Sequence, residues 1–61
     1  MELLREKFLK VYANIPLNLR DGVILVFENK PLTWNVIYLE VKANTELSVK
    51  LLQELKTLSL I

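Results

Sequence analysis

Apolar residues recur along the first part of the chain at the spacing of an α-helix. They fall at i, i+4, i+7, i+8 and i+11, which places them in one stripe on the helix surface. Asn14 tolerates the left-handed conformation of a helix end, and Pro16 cannot continue the backbone hydrogen bonding. We therefore predict a helix over residues 2–14 that ends near Ala13. The stripe consists of Leu4, Phe8, Val11, Tyr12 and Ile15.

The next apolar segment has the character of a buried strand. Residues 23–27 are β-branched or aromatic at four of five positions, and turn residues flank them on both sides. Before them, the pair Asp21 and Gly22 predicts a turn in which the only glycine of the chain offers a positive φ. After them, residues 28–31 are expected to reverse the chain, and Leu32 begins the returning strand. This pattern predicts an antiparallel β-hairpin.

Residues 34–42 contain strand-forming residues in a helix-forming arrangement. A strand over residues 32–42 would be about twice as long as its partner, which would leave half of its backbone hydrogen bonds unmatched. In a helix, the apolar residues form a stripe, Thr33 caps the start and Asn44 provides a left-handed end. We predict a helix over residues 34–43 and keep a strand as the alternative. The stripe consists of Trp34, Ile37, Tyr38 and Val41.

A stripe of leucines predicts the last helix, over residues 46–58. The fold class that follows is α+β, with an N-terminal helix, an antiparallel β-hairpin and two C-terminal helices. A chain of 61 residues has room for one small core, so we expect residues 1–61 to form a single domain. The leucines of the stripe are Leu47, Leu51, Leu55 and Leu58, widened by Leu52.

The composition excludes most familiar active sites. The chain has neither cysteine nor histidine, which removes disulfides, thiolate and imidazole metal sites, cysteine nucleophiles and histidine bases. No carboxylates are paired for acid–base catalysis, and one glycine is too few for a phosphate-binding loop. We therefore expect no enzymatic activity, no catalytic residue, no metal site and no cofactor. Trp34 and Tyr38, one helical turn apart, could form an aromatic platform for a ligand, but packing is the commoner role of such residues.

The charge balance gives only modest support to nucleic-acid binding. Eight basic and seven acidic residues leave a formal charge of +1, too small to steer the chain toward a polyanion. A regulator that binds nucleic acid through a modest basic patch is the alternative function. Arg5 and Lys10 point to different sides of the first helix, which weakens the patch. The basic residues concerned are Arg5, Lys7, Lys10, Arg20 and Lys30.

The order strand, helix, helix over residues 22–58 resembles the ribbon-helix-helix DNA-binding fold in its architecture. The resemblance implies a dimer that lays a two-stranded ribbon in the major groove. Such a ribbon presents polar side chains to the base edges, whereas residues 23–27 offer none, and a hairpin partner already occupies one edge of this strand. We therefore transfer no residues from that family.

The surplus of apolar residues is the main indication of function. Leu, Ile, Val and Phe occupy 26 of 61 positions, more than so small a body easily covers. We expect a protein–protein interaction or regulatory module that forms a homodimer through its hairpin or helix surface, or that binds another protein. The longest apolar run, residues 23–27, is far shorter than the roughly 20 residues that span a bilayer, and the N-terminus lacks a signal-peptide pattern. We thus expect a cytoplasmic protein without a membrane partner. The predicted interface residues are Val36, Leu39, Val49, Leu60 and Ile61.

Overall fold

The computed structural model describes residues 2–61, in which three helices pack with one β-hairpin. The predicted α+β class and element order are confirmed, and residues 34–43 form a helix rather than a strand. The elements are α1 (Glu2–Ala13), a short 3₁₀ helix (Leu17–Leu19), β1 (Val23–Phe27), β2 (Lys30–Thr33), α2 (Trp34–Ala43) and α3 (Glu46–Thr57).

The hairpin turn is tighter than the sequence analysis predicts. The predicted reversal over residues 28–31 is too long, because the turn contains only Glu28 and Asn29 and β2 begins at Lys30. Both turn residues have positive φ angles, 51° and 65°. Two consecutive positive φ values are typical of a type I′ turn, whose twist matches that of the flanking strands. The tight turn lets β2 pair with β1 over most of its length.

Two expectations about backbone conformation are wrong. Gly22 does not have a positive φ; a Cβ there would lie 3.3 Å from the carbonyl oxygen of Leu19, so the absent side chain permits a close approach. Asn14 is not left-handed either. It ends α1 by donating its side-chain Nδ2–H to the carbonyl of Lys10 at 3.2 Å. The predicted left-handed residue after α2, Asn44, is confirmed, with φ 56°.

Both C-terminal helices begin with a threonine cap, and the cap at Thr33 is the predicted one. Thr33 Oγ1 accepts a hydrogen bond from the backbone N–H of Val36 at 3.1 Å. Thr45 Oγ1 accepts in the same way from Ser48 N–H, also at 3.1 Å. Each cap satisfies a donor that the first helical turn leaves free. These local signals explain why residues 34–43 are helical despite their strand-forming composition.

The core lies where the inner face of the hairpin meets the three helices. α1 contributes one aromatic residue, β1 one leucine, α2 two residues and α3 three leucines. Further residues of α1, the hairpin and α2 pack around this cluster, as does Ile61. The buried apolar residues are Phe8, Leu25, Ile37, Val41, Leu51, Leu52 and Leu55.

The inner face of α3 is rotated relative to the predicted stripe. Leu47 and Leu58 are exposed, whereas Ser48 is buried together with three leucines of this helix. The small serine is tolerated there because its Oγ donates to the carbonyl of Thr45 at 2.6 Å, so the buried hydroxyl has a hydrogen-bond partner. Ser48, Leu51 and Leu55 follow one another at helical spacing and define the true core stripe.

Candidate interaction surface

Helix α2 is apolar on both of its sides. Its inner side carries Ile37 and Val41, which are fully buried. Its outer side carries Val36, Leu39 and Ala43, which lie at i, i+3 and i+7 and are all exposed. Leu39 is 61% exposed and Val36 is 42% exposed. We call these three residues the α2 outer face.

The other predicted interface residues do not lie on this face. Val49 is half-buried on α3. Leu60 follows that helix and is exposed, whereas Ile61 packs partly against the core. Of the five predicted residues, Val36 and Leu39 therefore share one helix face, and the other three belong to α3 or to the residues after it.

Strand β1 is less buried than its composition predicts. Only Leu25 is buried, whereas Val23 is 55% and Val26 66% exposed. The expectation of a buried strand is wrong because the helices cover only one face of the hairpin. Alternation places Val26 on the face opposite Leu25, whereas at Val23 the register shift between Val23 and Leu25 interrupts the alternation. A continuous apolar run conceals both features.

Hydrogen bonds at the start of α2 fix this helix against α1 and the connector before the hairpin. The hydroxyl of Tyr12 donates to Asn35 Oδ1 at 2.7 Å. Asn35 Nδ2 in turn donates to Asp21 Oδ1, also at 2.7 Å. The backbone N–H of Asn35 donates to the carbonyl of Arg20 at 3.1 Å. Asn35 thus joins α1, the connector and the start of α2.

Beside these hydrogen bonds, a stack of side chains also joins α1, α2 and the connector. The rings of Tyr12 and Tyr38 are parallel to within 4°, with centroids 4.2 Å apart. The guanidinium carbon of Arg20 lies 4.4 Å from the Tyr12 centroid, and Lys42 Nζ lies 5.9 Å from the Tyr38 centroid. Cations over ring faces are attracted by the aromatic quadrupole. Trp34 packs near Phe8, with centroids 6.0 Å apart. The Trp34 and Tyr38 rings therefore take part in packing within the chain.

The structure distributes the predicted basic patch over several elements. Arg5, Lys7 and Lys10 lie on α1, Arg20 in the connector and Lys30 at the hairpin turn. Both arginines contact neighbours within the chain. The guanidinium of Arg20 donates to the carbonyls of residues 12 and 15 at 3.3 and 3.0 Å. Arg5 donates from Nε to the carbonyl of residue 41 at 3.3 Å and from Nη1 to the carboxylate of residue 2 at the same distance.

Pockets, metal sites and membrane-spanning helices are the other features that could indicate a function in the part of the chain that the structure describes. Residues 2–61 form no pocket, and no three of their acidic side chains converge as metal ligands. None of the helices within this range has the length and apolar character needed to cross a membrane. The exposed apolar surfaces are the features from which a function can be argued.

Comparison with known proteins gives no assignment. No protein-family model, no curated protein and no solved structure matches this chain.

Proposed function

We propose that this protein is a non-enzymatic interaction module that forms a homodimer through the α2 outer face. The observation that supports the proposal is the exposure of Val36 and Leu39 on a helix whose opposite side already fills the core. Exposed apolar residues that lie together on one surface are typical of a protein–protein contact. Full burial of an exposed valine or leucine side chain contributes about 1.5–3 kcal/mol, and covering Val36 and Leu39 would gain the part of it that corresponds to their remaining exposed surface.

The charged residues beside the α2 outer face are held within the chain. Glu40 Oε1 accepts a hydrogen bond from Thr45 Oγ1 at 3.1 Å. Lys42 Nζ lies over the ring of Tyr38. The α2 outer face itself has no charged side chain, and Ala43 at one end is small enough for a close approach of two helices. Two copies that meet here would therefore bring the uncharged side chains of this face together.

Sedimentation equilibrium over a concentration series tests this proposal. We expect the chain to show a dimer mass at high concentration. Leu39→Lys should raise the dimer dissociation constant at least tenfold, because it places a charge in the centre of the contact. The matched control is Leu3→Lys on α1, since Leu3 is similarly exposed, and it should leave the constant unchanged. A monomer at every concentration, or equal effects of the two substitutions, would contradict the proposal.

Nucleic-acid binding is the second candidate, supported by the exposed Lys7 and Lys10 on α1. Nucleic-acid binding is supported less well than the homodimer, because Arg5 and Arg20 already donate hydrogen bonds within the chain and the net charge is only +1. Affinity for duplex DNA or RNA that falls steeply with added salt would support it.

A further inference from the structure

Asp21 and Gly22 form a sequence that can rearrange its own backbone. Asp21 is the only aspartate of the chain and Gly22 the only glycine, and both are exposed in the connector before β1. Where glycine follows aspartate, the backbone nitrogen of the glycine can attack the carboxyl carbon of the aspartate. Glycine favours this attack because it has no side chain to shield the nitrogen and because its backbone is flexible.

The rearrangement needs only water. The Gly22 nitrogen forms a bond to Cγ of the protonated Asp21 carboxyl, and the proton of the nitrogen leaves with the carboxyl hydroxyl as water. A water molecule then opens the resulting five-membered imide at the backbone carbonyl of residue 21. Gly22 remains joined to the side-chain carbon, so the backbone gains one carbon atom between residues 21 and 22, while the mass of the chain is unchanged.

The folded chain holds both reacting groups in hydrogen bonds. Asp21 Oδ1 accepts from Asn35 Nδ2 at 2.7 Å, and the Gly22 N–H donates to the carbonyl of Leu19 at 3.1 Å. Ring closure must bring the carboxyl carbon to the nitrogen and remove its proton, so it breaks the bond to Leu19 and strains the bond to Asn35. Asn35 is itself fixed, because its Oδ1 accepts from the hydroxyl of Tyr12 at 2.7 Å. The fold therefore opposes a reaction to which the sequence is prone.

The product of the reaction would disturb the place where α2 meets the connector. The carbonyl of Arg20 accepts from the Asn35 N–H at 3.1 Å, and the carbonyl of Gly22 accepts from the Trp34 N–H at 3.4 Å. These two acceptors lie on either side of the linkage between residues 21 and 22, whereas their donors are neighbours at the start of α2. An added backbone carbon changes the spacing of the acceptors, so the two bonds cannot both keep their geometry.

We propose that Asp21 is a site of spontaneous isomerisation and that Asn35 restrains the reaction in the folded chain. Asn35 is a positioning residue, because it holds the carboxyl and takes no part in the bonds that form or break. The reaction occurs within one chain and does not depend on the proposed homodimer. Loss of the hydrogen bond from Asn35 frees the carboxyl to approach the Gly22 nitrogen.

Prolonged incubation of the folded chain at mildly acidic pH tests the proposal. After digestion, the isomerised chain gives a peptide of unchanged mass that elutes separately and resists cleavage before residue 21 by an aspartate-specific endoproteinase. We expect Asn35→Ala to isomerise about tenfold faster than the unaltered chain, which corresponds to about 1.4 kcal/mol of lost hydrogen bonding. Asp21→Glu should give no isomerised peptide, because its ring would have six members and closes far more slowly.

Thr45→Ala separates the restraint by Asn35 from a general loss of stability. It removes the cap of α3 without touching Asp21, and its isomerisation rate should stay close to that of the unaltered chain. Circular dichroism confirms that both variants are folded, since Asn35 is only half-buried. An Asn35→Ala rate equal to that of the unaltered chain, or an equal rise in Thr45→Ala, would overturn the role of Asn35. The chain unfolded in guanidinium chloride should isomerise faster than either variant, and its failure to isomerise would overturn the site.

Discussion

Tyr12 makes two different contacts at the residue scale. Its ring is covered by Tyr38 and by the guanidinium of Arg20, while its hydroxyl donates to Asn35 Oδ1. The ring contacts depend on the aromatic side chain, whereas the hydrogen bond depends on a single oxygen atom. The two contributions can therefore be separated by a change that removes only that oxygen.

Tyr12→Phe should lower the free energy of unfolding by about 0.5–1.5 kcal/mol, because the half-buried Asn35 loses a hydrogen-bond donor while the ring stack remains. The measurement is the urea midpoint at a constant m-value. Tyr38→Phe is the control, since the same stack is kept and the Tyr38 hydroxyl donates to no group of residues 2–61. An equal loss in both variants would show that the hydrogen bond contributes nothing specific.

Single residues were predictable where their role depends on neighbours in the sequence. The N-cap Thr33 and the left-handed Asn44 follow from local backbone rules, and both are confirmed. The stacking of Arg20 on the Tyr12 ring was not predictable, because only the folded chain brings these two residues together. Its assignment to a basic patch used charge alone.

At the scale of elements, the turn between α2 and α3 joins two helices through one side chain. Thr45 Oγ1 accepts from Ser48 N–H to cap α3 and donates to Glu40 Oε1 on α2. The preceding Asn44 supplies the left-handed residue that ends α2. The short connection is thus held by local hydrogen bonds at both ends.

Thr45→Ala should destabilise the fold by about 1 kcal/mol, within the range of about 0.5–2 kcal/mol known for lost N-caps. Thermal unfolding followed by circular dichroism measures the change. Thr45→Ser retains the hydroxyl and should lose much less. If the serine variant is as unstable as the alanine variant, the methyl group of the threonine matters and the cap does not.

The sequence predicted the existence and order of the elements better than their inner details. Apolar periodicity and caps define α1, α2 and α3, because these signals are local. The length of β2 depended on recognising that Glu28 and Asn29 can both take positive φ values. The rotation of α3 toward Ser48 depended on tertiary packing, which periodicity alone does not reveal.

At the scale of the whole molecule, stability rests on a core with few members. Phe8 is fully buried, and its ring lies 6.0 Å from those of both Tyr12 and Trp34. Domains have roughly 0.05–0.15 kcal/mol of stability per residue, which gives a chain of this size about 3–9 kcal/mol. The loss of one large core side chain can therefore cost as much as the total free energy of unfolding.

Phe8→Ala should destabilise the chain by about 3–5 kcal/mol, since it leaves a cavity among the aromatic rings. We expect a largely unfolded population by circular dichroism at 25 °C. Phe8→Leu fills most of the space and should remain folded, with a lower melting temperature. A fully folded alanine variant with an unchanged melting temperature would show that Phe8 is not central to the core.

The exposed surfaces could be predicted only in part. Val36 and Leu39 lie off the inner stripe of α2, so helical spacing identified them as candidates. Val26 was missed, because a continuous apolar run does not show which face of a strand the helices will cover. Exposure is a property of the assembled fold.

The composition of β1 has a further consequence for copies in which the hairpin opens. Residues 23–27 have high strand propensity, no charge and no proline, which is the composition of segments that stack into amyloid. In the folded chain, β2 pairs with one edge of this segment and Leu25 is buried. An opened copy would instead expose the whole segment as a template for stacking. The packing of the hairpin thus protects the chain from forming fibrils through β1.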